Sequence, residues 1–240
     1  MRIKPEFDNA SIVLLGSFNP RIFQPAWFAR HGMIGEKEAE KTVMLLQNKE
    51  ECAFGVDTFE LKVRLDHFLV TGVGDHPEHI KDLVISCFGK YLPHTPVAAM
   101  GINRNIHFDT GDFEVRDRVG SRLAPKDAWG EWGKEIQKSY DAPIYERGGM
   151  LSITMLQKNL QQVGEYDSSV QAQVEPSIKI EGNTGIFVGV SNQFQLMDNE
   201  KSVQNASLAV EALEANWETS MKRAAIIVDQ IMALTEEYRT

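Results

Sequence analysis

Two periods of hydrophobic spacing divide this chain. The run Phe59-Glu60-Leu61-Lys62-Val63-Arg64-Leu65 alternates apolar and charged residues without a break, which predicts a strand with one face in a core and the other in water. Ser11–Leu15 is a short continuous apolar run and predicts a strand buried on both faces. Thr42–Leu46, Ala53–Val56 and Thr95–Ile102 read as further strands. Between them, Pro25 and Gly32 frame a short helix through Ala26, Trp27, Phe28 and His31, with proline at its first position and glycine just past its end. A second helix starts with Asp75 as N-cap and Glu78 completing a capping box, and continues through Ile80, Leu83, Val84, Cys87, Phe88 and Leu92.

From Asn103 to Arg147 the periodicity weakens while charge and tryptophan accumulate. Val115, Val119 and Leu123 place one helix over Asp112–Leu123, and Pro125 opens another through Trp129, Trp132 and Ile136. The pair Gly148-Gly149 then punctuates the chain. Beyond it, Met150–Leu156, Val170–Val174, Ser177–Glu181 and Gly185–Leu196 read as strands, with a turn at Glu165-Tyr166-Asp167 and a hairpin signal at Gly182-Asn183. The expected fold is α+β with two sheet-plus-helix halves. Residues 1–147 form the first, carrying a charged, Trp-rich helical insert at 103–147. Residues 150–240 form the second, mostly antiparallel β closed by a long C-terminal amphipathic helix; the alternative is one intimately packed domain. No residue-level repeat relates the halves.

The terminal helix carries the strongest pattern. Over Ser202–Thr240, apolar Val203, Ala206, Val210, Leu213, Trp217, Met221, Ala224, Val228 and Ile231 recur at helical spacing, with Glu211, Glu214, Glu218, Lys222 and Asp229 on other faces. Such a helix would be about 58 Å long, against about 35–40 Å for the diameter of a compact domain of this size. Either its stripe at Val210, Leu213, Trp217 and Met221 meets a second copy or a partner protein, or the helix packs across both halves of one chain.

Composition changes this picture little. The chain has 240 residues, 42% of them hydrophobic and 25% charged, as in an ordinary soluble globular protein. Its net charge of −9 argues against a general binder of nucleic acid or anionic membranes. Cys52 and Cys87 sit among apolar neighbours without a disulfide framework or CxxC spacing, which points to buried reduced thiols and a cytoplasmic location. Met1–Glu6 lacks the apolar segment of a signal peptide, and no apolar run is long enough to span a bilayer.

Candidate chemistry is sparse. Leu14-Leu15-Gly16-Ser17-Phe18-Asn19-Pro20 resembles the opening turn of the nucleotidylyltransferase family, but Ile22 and Pro25 stand where that family places its two histidines. Apolar side chains cannot bind phosphate or stabilise its transfer. The same residues make a strand-to-turn corner that aims Phe18, Ile22, Phe23, Trp27 and Phe28 inward. His67, His76 and His79 lie close in sequence without zinc-ligand spacing, and no glycine-rich phosphate loop is present. Arg104, Arg116 and Arg122 lie near Trp129 and Trp132, a mixture that can stack bases or clamp an anion. Asp109, Asp112, Glu114, Asp117 and Asp127 are interleaved with them, so a solvated helical face is the plainer account.

In layout, the chain resembles a sporadically distributed family of uncharacterised bacterial proteins of similar length, through Ala99-Met100-Gly101-Ile102-Asn103-Arg104 and the terminal helix with Trp217. The resemblance implies a bacterial interaction protein and no particular activity. The sequence therefore points to a non-catalytic assembly protein, a homodimer or a docking partner, with no cofactor, metal or catalytic residue assigned. The alternative is a protein holding an anionic or nucleotide-like ligand with Arg104, Arg116, Arg122, Trp129 and Trp132.

Overall fold

The computed structural model describes residues 1–74, 77–138, 148–158, 167–196 and 204–237. In chain order the elements are β1 (Phe7–Gly16), α1 (Pro25–Arg30), α2 (Glu36–Lys41), β2 (Met44–Gln47), β3 (Glu51–Gly55), β4 (Phe59–Arg64), β5 (His67–Gly72), α3 (Glu78–Ile85) running on as a π-helical segment through Tyr91, and β6 (Pro96–Asp109). Then come α4 (Phe113–Leu123), a 3-10 turn (Lys126–Trp129) leading into α5 (Gly130–Lys138), β7 (Ile153–Lys158), β8 (Asp167–Pro176), β9 (Gly185–Gln195), β10 (Gln204–Asn205) and α6 (Ala206–Glu236). The strands form one antiparallel sheet in the order β2-β3-β4-β5-β1-β6-β9-β8-β7, with β10 pairing the start of β6. The chain thus adopts a mixed α/β fold built on a many-stranded antiparallel sheet and a long C-terminal helix.

The order of elements repeats. A strand is followed by short helices, then by strands that fold back until the last pairs the first, then by a helix. β5 returns to β1, β9 returns to β6, and the β1–β6 pairing joins the two runs, with Ile12 opposite Ile102. The second run begins at β6, well upstream of Gly148-Gly149.

Alternation decides the faces. Ala10, Ile12 and Leu14 of β1, Met100, Ile102, Ile106 and Phe108 of β6, and Ile186, Val188, Val190 and Phe194 of β9 are all buried on one side, where the helices pack. Two apolar clusters lie there. One centres on Phe23, Phe28, Phe68, Phe88 and Trp217; the other holds Val119, Val170, Val188, Ala224 and Val228. The corner after β1 aims as expected: Phe18, Phe23 and Phe28 are buried, and Ile22 and Trp27 pack against them. Gly16 is required at that corner, because a Cβ there would lie 2.1 Å from the Pro96 carbonyl oxygen.

α6 has 31 residues and is about 46 Å long. Val210, Leu213 and Trp217, expected at an interface, are buried in the first cluster of their own chain, and Met221 packs half-buried beside them. Ala224, Val228 and Met232 continue into the second cluster. The comparison with a compact sphere misleads because α6 starts beside β6, with the Ala206 amide donating to the Thr95 carbonyl (2.8 Å), and runs lengthwise with that 14-residue strand, itself about 48 Å long. At its far end Arg2 ties the N-terminal segment to it, donating to Asp229 (3.0 and 3.2 Å) and Glu236 (2.8 Å).

Several sequence expectations change. β6 runs on to Asp109, so 103–109 is strand rather than helical insert. Ser177–Glu181 is loop, with Ile178 97% exposed, and the positive φ angles of Gly182 (79°) and Asn183 (60°) turn the chain between β8 and β9. β5 and α2 appear where no element was expected. The helix expected over Asp112–Leu123 is α4, and Asp112 proves to be its cap, accepting from the Glu114 (2.6 Å) and Val115 (3.4 Å) amides. The expected cap at Asp75-His76 and the turn residues Glu165-Tyr166 lie outside the described residues, as does the start of the expected helix at 202–203.

Candidate functional site

The face of the sheet opposite the helices carries the most distinctive side chains. Registers across the central strands set them in rows: Phe7, His107, Phe187 and Glu175; then Asn9, Asn105, Gly189 and Gln173; then Thr71, Ser11, Asn103, Ser191 and Gln171; then Leu69, Val13, Gly101, Gln193 and Ser169. Of the charged residues of β1, β6 and β9, Asp8 and Arg104 lie on the helix-covered side, and Asp109 alone alternates onto this face, at the very end of β6, where its carboxylate accepts from the Gly111 amide (2.8 Å). The same sheet supplies its own control, since the outward positions of β4 are Glu60, Lys62 and Arg64, all exposed. An outward strand face in water is ordinarily polar; β4 meets this with charges, and the central strands with neutral amides and hydroxyls.

These amides are half-buried and only partly satisfied. Asn103 Nδ2 donates to Ser11 Oγ (3.3 Å), Gln173 Nε2 donates to Ser152 Oγ (3.2 Å) and Glu175 Oε2 (2.9 Å), and Gln193 Nε2 donates to Ser191 Oγ (3.5 Å). Among the described residues, the side chains of Asn9, Asn105 and Gln171 make no hydrogen bond within the chain. Gly189 leaves a recess of about 130 Å³ lined by Asn103, Asn105, Gln171, Gln173, Phe187 and Ser191. A side chain at Gly189 would meet the Phe187 ring at 2.9 Å and Asn105 Oδ1 at 3.2 Å.

An aromatic row closes one end. His107 sits 5.8 Å from Phe7 and 4.8 Å from Phe187, ring centre to ring centre, and Lys179 lies over the Phe7 ring at 5.2 Å. Nδ1 of His107 shares a 2.8 Å hydrogen bond with Ser177 Oγ. Burial, and secondarily the nearby Lys179, holds the His107 pKa below its ordinary value, which keeps the imidazole neutral at pH 7.

The arginine and tryptophan set does not converge. Arg104 is on the helix-covered side, bound bidentately to Asp8 (2.9 and 2.7 Å), in a hollow of about 330 Å³ that Trp217 and Met221 also line. Arg116 lies over the Phe113 ring at 4.4 Å and lines a separate hollow of about 280 Å³ with Asp117, Gly148, Gly149, Met150 and Glu175. Desolvation lowers the Arg116 pKa, partly offset by Asp117. Arg122 is exposed and lines neither hollow. Trp129 and Trp132, 59% and 60% exposed, meet each other edge to face at 5.3 Å.

Other chemistry is confined. Among the described residues no group of three His, Cys, Asp or Glu side chains is placed to hold a metal ion. Cys87 is pushed far above the usual thiol range by burial, and Cys52, also raised by burial, donates to the Phe23 carbonyl at 2.9 Å. No described helix is long and apolar enough to cross a membrane. Comparison with known proteins adds no further constraint: no family model matches the chain, and no curated protein matches it.

The open face escaped the sequence reading because its members come from five strands scattered along the chain. A signal was present: alternate positions over 9–13, 99–105, 187–195 and 169–173 carry no charge.

Proposed function

We propose that this is a non-catalytic interaction protein of the bacterial cytoplasm, and that it meets its partner through the uncharged face of the sheet. On this reading its two runs of elements are two sheet-plus-helix units fused at β1–β6, and the layout likeness to sporadically distributed bacterial proteins reflects that shared architecture. The observation that carries it is the amide and hydroxyl surface of β1, β6, β9 and β8 beside the charged surface of β4. Charge is depleted from the centres of protein interfaces because removing it from water is costly. Half-buried amides without partners in the chain are groups that a partner can satisfy.

The test is thiol labelling of Gln171→Cys, with native Cys52 and Cys87 buried as internal controls. Slower labelling in intact cells than in dilute purified protein supports the reading; equal rates in both would refute it.

A second reading keeps Arg116 as the anchor of a small anionic or nucleotide-like ligand. It is favoured by a half-buried guanidinium that forms no ion pair among the described residues and lines a hollow of about 280 Å³. A thermal-shift panel of nucleotides and small anions tests it, because a ligand of the native state must raise the melting temperature. A rise abolished by Arg116→Ala would favour this second reading, and no rise across the panel would count against it.

A further inference from the structure

We infer that the occupant of the open sheet face is a second copy of this chain, packed sheet against sheet about a two-fold axis; the inference rests on reading that face as a contact surface. An amide carries a donor and an acceptor at once, so a face built from asparagine and glutamine can be its own complement, as a two-fold interface demands. A face of one charge cannot, and a chain of net charge −9 repels its own copy elsewhere. The neutral centre is also the place where two such chains meet without like charges opposed.

The extent fits. Five strands from β5 to β8, at about 4.8 Å each, by the rise from Phe7 to Leu15, at about 3.4 Å per residue, give about 24 by 27 Å. That is about 650 Å² per copy, or about 1,300 Å² for a pair, within the range of stable interfaces. The surround fits as well: Glu60, Lys62 and Arg64 flank the neutral centre on one side, and Lys158, Asp167 and Glu175 on the other, a rim of mixed sign. The recess over Gly189 has room for one amide head from the facing copy. Nucleic acid is disfavoured as occupant, because β1, β6 and β9 offer this face no lysine or arginine to neutralise phosphate.

The test is native mass spectrometry and light scattering on the full chain across about 0.1–50 µM, the range in which an interface of this class assembles. The expected result is a concentration-dependent species of twice 27.0 kDa. Asn105→Lys and Gln171→Lys should each weaken it at least tenfold, since each puts a like charge on both copies and buries it. Ile226→Lys, on α6 where Ile226 is 54% exposed, should leave it unchanged. A wild-type monomer throughout, or a dimer indifferent to both lysine variants, overturns the inference. If the protein is monomeric, Gln171→Cys labelling separates the two failures. Protection in cells would leave the face as a contact surface for a different protein, and full labelling there would remove both readings.

Discussion

Replacing Trp217 by alanine tests whether α6 belongs to its own chain's core. Trp217 is 1% exposed and is among the largest fully buried side chains of the protein. Removing a buried tryptophan costs about 3–5 kcal/mol, from lost transfer energy and the cavity left behind. With a urea dependence of about 3 kcal/mol per molar for a domain of this size, the unfolding midpoint should fall by about 1.0–1.7 M. At about 2–4 °C per kcal/mol, the melting temperature should drop by about 6–20 °C. Circular dichroism at the helical band is the assay, because the fluorescence of the remaining tryptophans would confound an optical comparison. Ile226→Ala on the same helix, at a position 54% exposed, should shift stability by no more than about 0.5 kcal/mol. A Trp217→Ala protein of near wild-type midpoint and altered oligomeric mass would refute the packing described and return the helix stripe to an intermolecular role.

Three further outcomes follow from the same structure. Gly16→Ala should cost about 3 kcal/mol, the upper end for overpacking, since its Cβ would lie 2.1 Å from the Pro96 carbonyl and part β1 from β6; urea titration checks it. His107 has a lowered pKa, so the folded state binds its proton less readily than the unfolded chain. The stability this gives is complete above the ordinary histidine pKa of about 6.5 and is lost as pH falls through the lower folded value. Melting temperatures from pH 7.5 down to pH 5 should therefore fall less steeply in His107→Gln, with His67→Gln run alongside because burial lowers His67 as well. Finally, neither Cys52 nor Cys87 should react with a thiol reagent in the native state, and both should react in denaturant; native reactivity would contradict their burial.

The elements most legible in the sequence were those whose pattern is local. β4 shows its alternation in consecutive residues, and α4 shows its stripe at Val115, Val119 and Leu123. β5 leaves no such mark, because it follows β4 across Leu65-Asp66, with no glycine, proline or asparagine at the turn. The apolar pattern of β6 breaks before the strand does, because Arg104 occupies a position on the helix-covered side, where its pairing with Asp8 replaces the expected apolar residue. The apolar members of Ser177–Glu181 predict a strand, yet Ile178 is left in solvent ahead of the turn at Gly182-Asn183. The candidate face was illegible for a different reason. Asn9, Asn105 and Gln173 become neighbours only once strand register is known, and register is a property of the whole sheet.

The position of α6 after every strand that it covers sets an order on biosynthesis. Until its 31 residues emerge, the clusters that hold Met100 and Val188 lack the cover of α6 and have only that of the earlier helices α1, α3 and α4. At about 5–20 residues per second, translating the helix takes about 2–6 s. During those seconds both apolar clusters are incompletely covered, so the yield depends on how quickly α6 is made and on the chaperones that meet the chain first.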